Sequence, residues 1–263
     1  MRLVFTDLDG TLLDHDSYSF EAARPALDLL RARGVPVILA SSKTEAEMRP
    51  IAEAIGIFHP MIVENGAGIA WPGTRGALAQ EDSTSPYSRL RHFLREIPKE
   101  LSGCFEGFGD WDTARVASET GLPLASAALA RQRRFSEPGH FSGTETQKVA
   151  FLTLAEAQGF TAVQGGRFFT LMPQTSKAER MAEVVSYYRG TTGETIRTVA
   201  LGDAPNDLAM LEAADCGVII ANPAHRPLPV TERERQGHIL RSVQAGPLGW
   251  NTMIHQLVAT GFL

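Results

Sequence analysis

Asp7 and Asp9 stand just beyond the apolar run Leu3-Val4-Phe5, with Gly10 directly behind them. A short unbroken run of this kind suits a strand buried on both faces, as in a parallel sheet. Such a strand carries its two carboxylates to the edge of the sheet where α/β folds bind ligands. Two neighbouring acids repel unless a cation or a proton lies between them. The stretch reads as a nucleophile and divalent-metal site or, on these residues alone, as a strand ending in an Asp-Gly turn. Two later segments also carry charge at one end of an apolar element. Lys177 opens an apolar-periodic segment, where the helix dipole disfavours a cation unless an anion is near. Gly202-Asp203-Ala-Pro-Asn206-Asp207 ends a further apolar run. It can be a metal-binding turn or an Asp-rich cap for the next helix.

The elements that position these residues alternate. The pattern predicts a helix over 21–33, a strand over 35–40, a helix over 45–55 and a strand over 61–63. Beyond residue 172 it predicts a helix over 178–189, strands over 195–201 and 217–220, a helix over 208–214 and a C-terminal amphipathic helix. Strand and helix in alternation build a doubly wound parallel sheet. Between these halves the composition changes. Residues 74–87 are rich in Ser, Thr, Pro, Gly and charge and read as a linker. Helices are then expected over 89–101, 112–119, 124–133 and 147–158. Extended segments are expected over 104–108, 134–141, 160–164 and 167–172, the last two joined by a Gly165-Gly166 turn. The block is of domain size. The expectation is a core of residues 1–80 and 173–263 with an inserted α+β domain over 81–172.

Composition excludes several classes. Hydrophobic residues make up 43% and charged residues 21% of the chain, an ordinary globular balance. The net charge of −5 and the lack of a basic run argue against nucleic acid as partner. No apolar stretch is long enough to span a bilayer, and the N-terminus does not read as a secretory leader. Cys104 and Cys216 have no zinc spacing and make no disulfide framework, which suits a reducing cytoplasm. Oligomeric state is not legible.

Asp7-Leu-Asp9-Gly-Thr-Leu resembles the first motif of the haloacid dehalogenase-like phosphohydrolases, and the other motifs follow in order. The resemblance covers nearly all of the chain. It implies a Rossmann-like core and a mobile cap inserted between the second and third motifs. It implies that Asp7 attacks phosphorus and that Asp9 protonates the leaving oxygen, then activates water. Ser41 takes the second motif's place as hydroxyl donor to the phosphoryl group, although Ser41 or Ser42 can equally cap the next helix. Lys177 takes the third motif's place and offsets negative charge. Asp203 is implied to bind Mg²⁺ with Asp7 and the Asp9 backbone. Asp207 binds through water or orients Lys177, and Asn206 belongs to the same motif. Asn65, in Glu-Asn-Gly-Ala, is a candidate ligand contact or an Asn-Gly turn.

Within the inserted block, Arg131, Arg133 and Arg134, with Lys148 and Arg167, concentrate positive charge in an acidic chain. They form a solvated face, or they grip a substrate carboxylate. Arg133-Arg-Phe-Ser-Glu-Pro138 and Gly165-Gly-Arg-Phe168, with Ser41-Ser42-Lys43-Thr44, resemble segments of the mannosyl-3-phosphoglycerate phosphatase family. This likeness nominates Ser42, Lys43, Arg134, Glu137 and Arg167 for substrate binding and implies a small phosphorylated sugar-acid substrate. Other sugar-phosphate phosphatases and phosphomutases fit the same core. A silent regulator that binds a phosphorylated ligand is the non-enzymatic alternative.

Overall fold

The computed structural model describes residues 1–73, 85–164, 167–224 and 226–263. The predicted linker as far as residue 84, and the Gly165-Gly166 turn, lie outside the described residues. The chain divides into two compact units. One comprises Met1–Ser41, Ala52–Pro72 and Ser176–Leu263, and the other Ser42–Ile51 and Gly73–Thr175.

The first unit is built on β1 (Arg2–Thr6), α1 (Arg24–Ala32), β2 (Val37–Leu39), the end of α2 (Glu45–Ile55, which as far as Ile51 belongs to the other unit), β3 (Met61–Val63) and β4 (Gly68–Ala70). It resumes after the second unit with its remaining strands and helices. In chain order the second unit supplies α3 (Pro86–Arg95), β5 (Phe105–Gly107), α4 (Thr113–Thr120), α5 (Leu124–Ala130), β6 (Glu137–Phe141), α6 (Glu145–Ala157), β7 (Phe160–Gln164) and β8 (Phe169–Pro173). The first unit closes with α7 (Lys177–Thr192), β9 (Arg197–Gly202), α8 (Leu208–Ala213), β10 (Cys216–Ala221), α9 (Glu232–Arg235), β11 (Ile239–Ala245) and α10 (Gly246–Ala259).

The main sheet of the first unit has the order β11-β10-β9-β1-β2, all parallel. Leu3, Val4 and Phe5 are fully buried at its centre, as their unbroken apolar run requires. Leu3, Phe5, Ile38 and Ala200 pack against Met181 and Val184 of α7 and Met210 and Leu211 of α8. Successive strand residues face opposite sides, so Val4 and Thr6 face the other layer, where buried Trp250 of α10 donates to Thr6 Oγ1 at 3.0 Å. β3 and β4 form an antiparallel pair, joined to the end of β2 by a bridge between Ala40 and Ile62. The chain leaves β1 toward β2 on one side and returns as β9 on the other. That reversal opens a crevice beyond the carboxyl end of β1.

The second unit holds an antiparallel sheet in the order β5-β6-β8-β7. Phe105, Phe151, Phe160 and Phe169 form its core with Leu90, Leu101 and Leu171. Phe108, Trp111, Val116 and Ala127 form a second cluster. Thr144 and Gln147 close a capping box that starts α6 two residues earlier than its apolar pattern suggests. The helix expected over 89–101 starts at Pro86, behind the Ser85 cap, and ends at Arg95. Pro98 disfavours helical backbone at the residue before it. No helix among the described residues is long and apolar enough to cross a membrane.

Gly66 separates conformational from steric cost. Its φ of 86° lies in the left-handed region, and a β-carbon there would collide with the backbone of Ser176 and Lys177. Gly34 has a φ of 65° but nothing near its absent β-carbon. Gly34→Ala should therefore cost about 1–2 kcal/mol in urea unfolding, the left-handed penalty alone. Gly66→Ala should cost clearly more and should also move Lys177. Equal losses for the two variants would contradict the close approach.

Candidate active site

In the sheet register Thr6 stands opposite both Leu39 and Leu201, so β1, β2 and β9 run out at the same level. The next residues on these strands are Asp7, the Ala40-Ser41 pair and Gly202-Asp203. Asp7 is fastened by its peptide: its N–H donates to Leu201 O at 2.9 Å, and its carbonyl accepts from Thr6 Oγ1 at 2.8 Å. Through that hydroxyl, Trp250 of α10 is linked to the backbone of Asp7.

Lys177 sits at the first turn of α7, behind the Ser176 cap, with its side chain fully buried. Its ammonium donates to Asp7 Oδ1 at 2.8 Å and to Asp207 Oδ1 at 2.6 Å. Asp207 is itself held, its Oδ2 accepting from the N–H groups of Asp203 at 3.2 Å and Ala204 at 3.1 Å. Gly202 allows this, since any β-carbon there would run into the Asp207 carboxylate. Asp207 thus holds the Lys177 ammonium from the side opposite its own backbone anchors.

Burial drives the Asp7 carboxyl well above the usual carboxylate range; Lys177 pulls it back, while Asp207 and Asp203 push it further up. Burial alone would lower the Lys177 ammonium, but Asp207 and Asp7 overcome that and hold it above its ordinary value. Oxygens of Asp7, Asp203 and Asp207 all lie within 4.8 Å of one another, close enough to share a cation. An all-carboxylate donor set of this kind fits a hard divalent ion, and such an ion would relieve the repulsion felt by Asp7.

Asp9 is partly exposed, bridged through its backbone to Leu13, and its side chain is not part of the converging triad. Ser41 is buried, its N–H bonded to Ile62 O and its carbonyl accepting from Asn65 N–H. The α2 helix is capped by Thr44 together with Glu47, not by Ser41 or Ser42. Glu64, Asn65 and Gly66 all have positive φ, a strained turn of the kind that clusters at functional sites. Asn65 Oδ1 accepts from Asn206 Nδ2 at 3.0 Å, so two candidates from distant segments meet.

Ser42, Lys43, Arg134, Glu137 and Arg167 belong to the second unit. Arg134 Nη1 pairs with Glu45 Oε2 at 2.5 Å, and Arg49 pairs with the same carboxylate. Arg133 donates to Ser136 Oγ at 2.7 Å and to Ser42 O at 3.3 Å. Arg167 is exposed and reaches Glu119 O at 3.4 Å. Glu137 is fully buried and accepts from Gly109 N–H at 2.5 Å, with Arg91 at 3.6 Å. Burial raises its carboxyl above the ordinary value against the pull of Gly109, Tyr87 and Arg91. That environment makes Glu137 a brace for the 107–110 turn.

Thr11 and Asn222 have no role in the reading of the sequence alone. Both donate to Asp203, Thr11 Oγ1 to Oδ1 at 2.8 Å and Asn222 Nδ2 to Oδ2 at 2.7 Å. The available signal was the position of Asn222, next after the apolar run of β10 and so at the same sheet edge as Asp203.

A switch-point site of this composition is the mark of a phosphoryl-transfer α/β core. The chain belongs to the haloacid dehalogenase-like hydrolases, whose sequence profile matches residues 4–100 and 145–228. A glucosyl-3-phosphoglycerate/mannosyl-3-phosphoglycerate phosphatase of Methanococcoides burtonii is 36% identical over 98% of this chain and 97% of its own. A phosphatase of the same name from Persephonella marina is 33% identical, with 97% of each chain covered. The fold matches that of a haloacid dehalogenase-like hydrolase from B. subtilis with a TM-score of 0.64 at 20% identity, over 98% of this chain and 100% of the other.

Lys177→Met should expose how much the buried charge cluster depends on the ammonium. It leaves Asp7 and Asp207 without their shared cation, and breaking such a set typically costs about 3–5 kcal/mol. Urea unfolding of the metal-free protein measures this. A loss under about 1 kcal/mol, within the range of an exposed ion pair, would contradict the buried geometry.

Proposed function

We propose that this chain is a phosphatase that hydrolyses mannosyl-3-phosphoglycerate to mannosylglycerate and phosphate through an aspartyl-phosphate. The observation that carries the reaction type is the Asp7–Lys177–Asp207 chain beside Asp203 at the end of β1. The substrate class follows the two relatives, whose names join the mannosyl and glucosyl forms. A reducing, cytoplasmic setting suits Cys104 and Cys216, both buried free thiols.

Lys177 holds one oxygen of Asp7, which orients the other for in-line attack on phosphorus. As the phosphorus–oxygen bond to the glycerate breaks, Asp9 gives its proton to the leaving alkoxide. Asp9, now a carboxylate, takes a proton from water, which attacks the phosphorus of the aspartyl-phosphate. Phosphate leaves and the Asp7 carboxylate is restored. Ser41 donates its hydroxyl to a phosphoryl oxygen, and Lys177 balances charge throughout. A divalent ion held by Asp7 and Asp203, which we take to be Mg²⁺, supplies further neutralisation of the phosphoryl group when bound.

The second unit, as the inserted cap, supplies discrimination through Arg134 or Arg167, each able to pair with the glycerate carboxylate. Ser42, Lys43, Asn65 and Asn206 complete the proposed substrate contacts.

Asp7→Asn should abolish phosphate release while leaving the thermal midpoint near that of the parent, because the amide keeps the shape and loses the nucleophile. Exhaustive chelation should remove activity, and Mg²⁺ should restore it. Substantial turnover in either experiment, with reversion to Asp excluded by mass spectrometry, would rule out this mechanism.

Arg134→Ala or Arg167→Ala should lower kcat/KM on mannosyl-3-phosphoglycerate by roughly ten- to a hundredfold, the cost of a charge-assisted contact of about 1.5–3 kcal/mol. Hydrolysis of p-nitrophenyl phosphate, which has no carboxylate, should be nearly unchanged. Equal losses on both substrates would instead indicate a damaged fold. Running glucosyl-3-phosphoglycerate in parallel reads out the sugar preference.

A further inference from the structure

Asp203 is clasped from two sides. Thr11 donates to its Oδ1 at 2.8 Å and Asn222 to its Oδ2 at 2.7 Å. The Asn222 amide has no freedom to turn over, because its Oδ1 accepts from the Ala224 N–H at 2.9 Å. Its Nδ2 must therefore face the carboxylate. The niche that admits it is made by Gly10: with a φ of 78°, a β-carbon at that position would collide with the Asn222 amide and come within 3.0 Å of Asp203 Oδ2. Two separate parts of the chain, Gly10-Thr11 and Asn222, are thus committed to the orientation of one carboxylate.

The chemistry of the clasp matters as much as its geometry. Asp7 and Asp207 are bonded by an ammonium, which cancels negative charge. Thr11 and Asn222 are neutral donors. They fix the carboxylate plane while leaving its charge available to a cation. An arginine or lysine in the place of Asn222 would hold Asp203 as firmly and repel the ion.

We propose that Asn222, with Thr11, is a positioning residue that sets the affinity of this site for a divalent cation by aligning Asp203. This rests on the reading of Asp203 as a metal ligand. Groups that hydrogen-bond a ligating carboxylate typically contribute about 10- to 100-fold in metal affinity. Calorimetric titration of the full chain with Mg²⁺, and with Mn²⁺ as a second probe, tests it on the parent, Asn222→Ala, Thr11→Val and Thr11→Ser.

The expected result is a weakening of about 10- to 100-fold in Asn222→Ala and a similar loss in Thr11→Val. Thr11→Ser, which restores the hydroxyl, should bind nearly as the parent does. The metal-free thermal midpoint, read alongside, shows that each variant is folded, and the Thr11 pair decides the matter if Asn222→Ala is not. Unchanged affinity in folded Asn222→Ala, or equal affinities for Thr11→Val and Thr11→Ser, would overturn the proposal. A parent chain that binds neither ion would overturn the metal reading of Asp203 itself.

Discussion

The structure of the first unit turns on one buried ammonium. Lys177 is out of water at the start of a helix, where the dipole opposes it, and only paired acids make that position tolerable. Asp7 and Asp207 supply them, and Asp203 stands close by. With the acids ionised, one positive and three negative groups leave the cluster with two negative charges in excess. That imbalance is the charge of one divalent ion; in the protein alone, burial first and then the like charges of Asp207 and Asp203 drive the Asp7 carboxyl upward. The arrangement is poised for charge to arrive rather than settled without it.

Bringing those groups together demands close backbone approaches, and glycine marks each one. Gly66 lets the β3–β4 turn lie against the start of α7, which carries Lys177. Gly202 lets the Asp207 carboxylate fold back under β9, and Gly10 opens the niche for Asn222. The parallel register does the rest, because β1, β2 and β9 end at the same level on either side of the point where chain order reverses. Sheet topology gives the site its place, and the glycines give it its spacing.

Most of this site is legible in the sequence because its acids follow apolar runs, a pattern that secondary-structure periodicity detects. Asp7 and Asp203 are found that way; Lys177, which opens an apolar-periodic helix, is found by its place in the order of motifs. Thr11 and Asn222 escape, because a hydroxyl two residues after Asp9 and an amide before Pro223 have ordinary turn chemistry; only the fold brings them to one carboxylate. β11 escapes for another reason. Ile239-Leu-Arg-Ser-Val-Gln-Ala245 lies at the edge of the sheet, and its mixed, half-exposed pattern lacks the unbroken apolar run of a central strand. The three-residue β4 is too short to show a period. In the second unit the family resemblance nominates Glu137 alongside the arginines, yet nothing local reveals that its carboxylate is sealed beneath the 107–110 turn.

Charge also distinguishes the two units. The ion-paired group formed by Arg49, Glu45 and Arg134 carries two positive charges against one negative, the reverse of the acidic cluster around Lys177. Glu45 is buried and Arg134 is partly exposed, so Glu45 remains compensated by Arg49 if Arg134 turns toward another anion. Under the proposed function, a substrate carboxylate that engaged Arg134 would exchange one charge-assisted bond for another, without stranding a buried charge. Such an exchange would lower the net gain from binding but raise its selectivity. A neutral group offered in place of the carboxylate would break the Glu45 bond and return nothing of comparable strength.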